Sequence, residues 1–359
     1  MVKIFYFDDY NIFIVYYFCK MTLNEIKELK QLLSEKKEII IITHKNPDGD
    51  AIGSSLALCG FLLKLGHQAK VIVPNDFPDF LKWVPKAAEI IIFDYQKEVA
   101  NNLISSADLI FTLDFNSLSR VGDELKVIIE KSGVTKVLID HHQQPDDYAK
   151  YIYSDVSMCS TAQMVYHFME FMDGINYLDA TIATCIYTGI MTDTGSFRFR
   201  STTSTTHRIV ANLIDFGADN TKIHENVYDT NSASRMRLLS VALNNLKILP
   251  EYRTAYITLT QKELDDNYFK KGDYEGFVNY ALSVKNITLA VLFVENKEEN
   301  IIKMSLRSKG AFSVNEMART HFDGGGHTNA AGGKSEGLLV DTVKKFSSIL
   351  KNYKKELCL

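Results

Sequence analysis

Glu38-Ile-Ile-Ile-Ile-Thr43 runs straight into His44-Lys-Asn-Pro-Asp-Gly-Asp50, and this junction decides the fold. A short β-branched run without polar alternation reads as a strand buried on both faces. The residues after it form a turn, marked by Asn46-Pro47 and Asp48-Gly49, that carries an imidazole and two carboxylates. Ala51–Leu65 then reads as a helix closed by Gly66.

Working outward, similar apolar runs recur at Ala69–Val73, Glu89–Phe93, Asp108–Leu113 and Thr135–Ile139. Helical patterns occupy 24–37, Val121–Lys131, Thr161–Asp173 and Leu178–Met191, followed by a polar Ser/Thr stretch at 201–206. This alternation specifies a parallel sheet with helices on both faces. The pattern changes after about residue 217, where Gly217-Ala-Asp-Asn220 marks a break. Ser232–Leu246 reads as a helix, and Thr254–Thr260, Thr288–Glu295 and Ile301–Arg307 read as strands, the last two joined by a hairpin. The expected fold is α/β. A doubly wound, mainly parallel sheet occupies 21–216, a linker 217–235, and a smaller α/β domain with a mixed sheet 236–359.

The length of 359 residues suits two domains, each able to bury its own core. With 46% hydrophobic residues and a net charge of −4, the chain is not disordered. A pI near 6.2 excludes a protein that coats nucleic acid by bulk charge, although it leaves a local basic cleft open. Five widely spaced cysteines with no C-x-x-C pair predict reduced thiols and a cytoplasmic location, not a disulfide framework or a zinc site. The apolar stretch Ile12–Cys19 falls far short of the roughly 20 residues needed to cross a bilayer. Thr22-x-x-Glu25 is a capping box. The folded protein is therefore expected to begin near Met21, with residues 1–20 an extension and no stable membrane association.

The position of the chemistry-bearing residues matters most. His44, Asp48 and Asp50 follow the strand ending at Thr43, Asp114 follows the one ending at Leu113, and Asp140, His141 and His142 follow the one ending at Ile139. Parallel strands all point one way, so these clusters converge on the carboxyl edge, where open α/β sheets bind ligands. Asp193, in Gly189-Ile-Met-Thr-Asp-Thr-Gly195, lies just beyond an apolar helix and can reach the same edge. Carboxylate and imidazole donors gathered this way suit divalent metals. Enough ligands are present for two ions about 3.5–4 Å apart, one carboxylate bridging them. Taken singly, each Asp is an ordinary turn or helix-cap residue. Four clusters together are hard to assign to coincidence, and a tight turn can carry ligands as well.

Further along, Phe322-Asp-Gly-Gly-Gly-His-Thr-Asn-Ala-Ala-Gly-Gly333 offers backbone N–H groups for an anion, together with His327. Ser305-Leu-Arg-Ser308 ends a strand with a guanidinium suited to phosphate. Alone, the first would be a flexible loop and Arg307 a surface arginine.

Together these motifs resemble the DHH phosphoesterase superfamily. Its metal motifs are matched by His44-Lys-Asn-Pro-Asp-Gly-Asp50, Asp114, Asp140-His-His142 and Asp193-Thr-Gly195, and its DHH-associated C-terminal domain by Ser305-Leu-Arg-Ser308 and Gly324-Gly-Gly-His-Thr-Asn-Ala-Ala-Gly332. The short two-domain layout is similar to the nanoRNase and pAp-phosphatase (bifunctional oligoribonuclease) subfamily. The resemblance spans about residues 24–350. It implies that His44 and Asp48 hold one ion, that Asp50, His141 and Asp193 hold another, and that Asp114 bridges them. It implies His142 beside the reacting phosphate, as charge stabiliser or proton donor, with Asp140 orienting the histidine pair. Arg307, Ser308, Gly324, Gly325, Gly326 and His327 would grip the substrate. The implied cofactor is a pair of Mn²⁺ ions, with Mg²⁺ or Co²⁺ as substitutes. The chemistry would be in-line attack on phosphorus by a water made acidic between the cations.

Implied substrates are 3′-phosphoadenosine 5′-phosphate (pAp), short oligoribonucleotides and linear pApA, not long duplex DNA. A RecJ-type exonuclease would want an added OB-fold and an extended basic, aromatic groove. A pyrophosphatase of the superfamily would carry a different C-terminal domain. Two rival readings are a catalytically silent nucleotide sensor and a membrane-associated cyclic-dinucleotide phosphodiesterase. A homodimer is expected by analogy.

Overall fold

The structure, a computed structural model, describes residues 21–270 and 272–358; the expectation for residues 1–20 lies outside them. The chain divides into two compact units, one up to Asp229 and one from Thr230. The first runs through helix α1 (Leu23–Leu32), strand β1 (Glu38–Thr43), α2 (Gly49–Lys64), β2 (Gln68–Val73), β3 (Ile91–Ile92), α3 (Lys97–Ser106) and β4 (Leu109–Leu113). It continues through α4 (Asp123–Lys131), β5 (Thr135–Asp140), β6 (Tyr151–Ser154), α5 (Thr161–Phe171), α6 (Ala180–Asp193), α7 (Ser204–Asp215) and α8 (Asn220–Tyr228). The Thr22–Glu25 capping box starts α1 through reciprocal bonds.

The strands form a six-stranded parallel sheet in the order β3-β2-β1-β4-β5-β6. This is a doubly wound order whose direction reverses between β1 and β4, and such a reversal leaves a crevice at the carboxyl ends of the two strands. The four isoleucines of β1 show why its apolar run is unbroken. Ile39 and Ile41 pack in one core with Leu56, Phe168 and Ile186, while Ile40 and Ile42 pack in the other with Ile104 and Ile129.

The second unit comprises α9 (Ala233–Asn244), β7 (Lys247–Leu249), β8 (Thr254–Leu259), α10 (Gln261–Asp266), α11 (Phe277–Ser283), β9 (Leu289–Asn296), β10 (Ile301–Ser308), α12 (Val314–His321), β11 (Gly325–His327), β12 (Ala330–Glu336) and α13 (Leu339–Leu357). Its sheet, ordered β11-β12-β10-β9-β8-β7, is mixed: β8 and β9 are parallel and the other pairs antiparallel. β9 alternates, sending Leu289, Val291 and Phe293 to one core and Ala290, Leu292 and Val294 to the other.

Several expectations change. The strand expected at Glu89–Phe93 shrinks to Ile91–Ile92, because Lys86 turns through a left-handed φ of 71° and Ala87–Glu89 coil into a 3-10 turn. Tyr151–Ser154 adds an edge strand too short to show a pattern. The polar stretch 201–206 is partly the start of α7, capped by Thr203 and Thr206. Asp140 ends β5 and Asp193 ends α6, where both were expected just beyond their elements. The span 217–235 contains α8 and the beginning of α9. The glycine-rich stretch is largely the β11–β12 hairpin.

α2, α5 and α6 meet closely behind the carboxyl edge. A Cβ on Gly53 would stand 2.5 Å from the Cys185 carbonyl oxygen and 2.9 Å from the Gly189 nitrogen; one on Gly189 would stand 2.5 Å from the Ala162 Cβ. The obstacles are largely backbone, which cannot swing aside. Gly53→Ala is therefore expected to cost about 1–3 kcal/mol and to lower the first unit's unfolding midpoint in a denaturant titration. An unchanged midpoint would contradict this packing.

Candidate metal centre

β1 ends at Thr43, and His44 follows it as a buried residue whose Nδ1 lies 3.0 Å from the Lys45 carbonyl. A carbonyl only accepts, so Nδ1 carries the proton and Nε2 is turned to Asp114 Oδ2 at 3.5 Å. His141 is arranged alike. Its Nδ1 donates to the Met158 carbonyl at 3.3 Å, and its Nε2 lies 3.5 Å from Asp114 Oδ1, 3.5 Å from Asp193 Oδ2 and 3.7 Å from Asp50 Oδ2. An imidazole held at Nδ1 by a backbone carbonyl, with Nε2 facing carboxylates, is the usual setting of a metal-ligating histidine.

Asp114 lies between these two histidines. It follows β4 in a left-handed conformation (φ 65°) that Asp tolerates better than most residues. One oxygen faces His44, the other faces His141 and also accepts the Thr161 hydroxyl at 2.9 Å. Asp48 is the α2 N-cap, accepting from the N–H groups of Asp50 and Ala51. It also groups with His44 and Asp114, one donor atom from each lying within 4.8 Å of the others. Asp48 thus caps the helix as the turn reading expects, and the cap leaves it close enough to His44 and Asp114 to serve as a ligand. Asp50, His141 and Asp193 form a second such group.

His142 stands apart in its bonding. Its Nδ1 donates to Asp140 Oδ1 at 2.7 Å, and Asp140 is fully buried with Oδ2 taking no hydrogen bond. The two histidine rings are 5.0 Å apart, edge to face.

The charge balance follows from burial. Burial first, then the charges of Asp114 and Asp193, push the Asp50 carboxyl well above the carboxylate range. Burial likewise pushes Asp193 up to about 6. Asp114 goes the other way: its contacts with His141 and His44 overcome burial and hold it well below that range. For His141, burial is outweighed by Asp114, Asp193 and Asp50, and its pKa rises well above the ordinary histidine value; for His44, burial is outweighed by Asp114 and Asp48, and its pKa is raised too. Among the described residues, the ion-pair partners of these carboxylates are histidines, not lysine or arginine. Crowded anions without fixed cations fit divalent ions well, and ions would displace the imidazolium protons.

Sequence reasoning missed the supporting layer. The Thr161 and Ala162 N–H groups donate to Asp50 at 2.6 and 2.8 Å from the start of α5. The Ser160 cap signal before an apolar helix was the available clue.

In the second unit, Arg307 and His327 both pair across β12 with Ala330, one from each side. Ser308 is buried, donates to the Phe312 carbonyl and accepts from Asn329, so it braces the chain. Within Gly324, Gly325 and Gly326, the Gly326 N–H is taken by Asn315 Oδ1.

A doubly wound sheet that gathers imidazoles and carboxylates at its switch point defines a class of α/β protein built around a carboxyl-edge donor cluster. The chain belongs to the DHH phosphoesterase family of hydrolases: residues 38–190 match the DHH family N-terminal domain and residues 253–356 match the DHHA1 domain. It is 32% identical over 319 residues to the bifunctional oligoribonuclease and PAP phosphatase NrnA of Thermus thermophilus, covering 89% of this chain and 90% of that protein. It is 27% identical to the Bacillus subtilis protein of the same name, covering 85% and 91%. A crystal structure of an exopolyphosphatase-related protein from Bacteroides fragilis superposes with a TM-score of 0.89 at 41% identity, covering 94% of this chain and 98% of that one. Among the described residues, no helix is long and apolar enough to cross a membrane.

Two outcomes are expected. Thr161→Val removes the hydroxyl on Asp114 but keeps the backbone bond to Asp50, and should weaken Mn²⁺ binding by about 10–100-fold in calorimetry with folding intact. Carboxyls with raised pKa values hold their protons at mildly acidic pH, and an ion must displace them. Mn²⁺ affinity of the metal-free protein should therefore fall between about pH 7.5 and about pH 5.5; a flat profile would contradict the charge balance.

Proposed function

We propose that this chain hydrolyses phosphoesters of short nucleotides, namely pAp, short oligoribonucleotides and pApA, with a pair of divalent ions, Mn²⁺ foremost. The observation that carries the reading is Asp114, whose two oxygens each face the Nε2 of a different histidine at 3.5 Å. A carboxylate so placed supports a bridging role: His44 and Asp48 would hold one ion with it, and Asp50, His141 and Asp193 the other. Bound there, the ions would lower the pKa of water and offset charge on the phosphate.

The chain's own residues do the rest. The Nδ1–H bond to Asp140 fixes the His142 ring, leaving Nε2 to serve the phosphate or the leaving oxygen as charge stabiliser or proton donor. Asp140 acts through His142. In the second unit, Arg307 and His327, placed on either side of Ala330, are assigned to the substrate's phosphate. Ser308 and the glycines Gly324, Gly325 and Gly326 shape that end of the sheet. The names borne by the Thermus and Bacillus relatives support short substrates.

The test is a kinetic panel of pAp, pApA, dinucleotides, pyrophosphate and a long single strand, with Mn²⁺. Turnover of pAp and dinucleotides is expected, and long strands should be much slower; equal rates on long strands would sink the short-substrate reading. His142→Ala should lower kcat by about 100- to 10,000-fold while leaving Mn²⁺ binding in place.

A further inference from the structure

Asp50 is clamped by two backbone N–H groups, whereas the carboxylate of Asp193 receives none among the described residues. Its side chain is 27% exposed, against 1% for Asp50 and 4% for His141. Its position depends on where α6 stops and how the chain leaves. The exit is unusual. Gly195, Ser196 and Phe197 follow one another with φ of 56°, 60° and 64°, the only consecutive left-handed residues among those described. Left-handed backbone suits single residues, above all glycine, and not runs.

Some of the bonds holding this turn are local. Phe197 N–H donates to the Thr194 hydroxyl at 3.0 Å, Ser196 N–H to the Met191 carbonyl at 2.8 Å, and Arg198 Nε to the Gly195 carbonyl at 2.7 Å. One bond reaches another element: Ser196 Oγ lies 2.9 Å from His224 Nε2 in α8. His224 Nδ1 lies 2.8 Å from the Asn220 carbonyl, which can only accept, so Nδ1 carries the proton and neutral Nε2 accepts from the Ser196 hydroxyl. Phe197, Tyr187 and Tyr228 pack around the same imidazole at ring distances of 6.4, 6.1 and 6.0 Å. Helix α8 is the last element of the first unit.

We propose that His224 is a positioning residue for the metal centre: acting through Ser196, it holds the left-handed turn and thereby the carboxylate of Asp193. The inference rests on Asp193 being an ion ligand, as proposed above. His224 touches neither substrate nor ion. Its effect falls on the Asp50–His141–Asp193 side alone, and the side formed by His44 and Asp48 stays as it is.

The experiment compares wild type with His224→Ala, His224→Gln, Ser196→Ala and Ser196→Gly. Metal-free protein is titrated with Mn²⁺ by calorimetry, the bound pair is read by electron paramagnetic resonance, the metal-free thermal midpoint is measured, and kcat and KM for pAp are determined. His224→Ala and Ser196→Ala should weaken the second Mn²⁺ step about 10-fold or more and diminish the spin-coupled signal. The first step should be unmoved, and kcat should fall more than KM changes. His224→Gln, which keeps an acceptor for the Ser196 hydroxyl, should restore much of the second step. Ser196→Gly, free to stay left-handed, should be milder than Ser196→Ala. If His224→Ala binds both ions as wild type does, or only lowers the thermal midpoint, the inference is overturned. If wild type binds two ions but hydrolyses no phosphoester, the proposed function fails while the binding steps still decide His224. If wild type binds no ion, both fall.

Discussion

The carboxylate of Asp50 is the constraint on which the centre depends. It sits in the first turn of α2 and accepts two N–H groups from the first turn of α5. A helix N-terminus is a natural anion site, so one buried charge joins two helices head to head. α6 then comes in against both, at a distance that requires glycine at positions such as 49, 53 and 189. That approach puts the end of α6, and hence Asp193, beside Asp50. If Asp50 were moved, the second donor group would lose its centre, and the first two N–H groups of α5 would lose their acceptor.

The same carboxylate carries an unresolved charge. Burial and two neighbouring acids act against its ionisation, while the amide groups of α5 favour it. In a low-dielectric setting, like charges this close demand cations or protons. His44 and His141 supply protons, which divalent ions would displace while bringing more positive charge. The charge balance therefore favours cations at this centre, and its donor side chains are held in place by carbonyls at Lys45 and Met158 and by the Thr161 hydroxyl. Such preparation belongs to a site whose chemistry needs fixed geometry.

Much of this was legible in the residues. β1 announced itself because a central parallel strand is apolar on both faces, and parallel strands put every strand-end donor on one edge. That is why His44, Asp114 and Asp140–His142 could be grouped without a structure. Short or edge elements could not be read. Tyr151–Ser154 has too few residues for a pattern, and the Ser/Thr run before α7 looks like loop until Thr203 is seen capping it. The supporting atoms were also hidden, since a carbonyl or an amide N–H has no side-chain signature. Thr161, 111 residues from Asp50, becomes its partner only through the fold. The bonds of Ser308 were hidden for a related reason: a strand-end hydroxyl says nothing of Phe312 and Asn329 until the fold brings them to it.

Part of the backbone strain lies along the same edge. Asn46, Asp114 and the pair Ser196–Phe197 are left-handed non-glycine residues, each beside a proposed ion ligand or itself one. Each costs on the order of 1–2 kcal/mol and persists only where neighbours over-determine it. Asn46 is held by Asn75, whose side chain accepts its N–H at 2.6 Å and donates to its side-chain oxygen at 3.0 Å. Asp114 is held by its N–H bond to the Ile139 carbonyl and by the Thr161 hydroxyl. Ser196 is held by His224. Three elements thus turn sharply at the sheet's open edge, and each turn is pinned from outside by a side chain remote in sequence. A strand or helix running straight on would carry its donor out into solvent, whereas a sharp left-handed exit keeps the donor at the edge, facing its neighbours. The strain is the local cost of convergence, offset by hydrogen bonds with Asn75, Thr161 and His224, side chains outside the donor set.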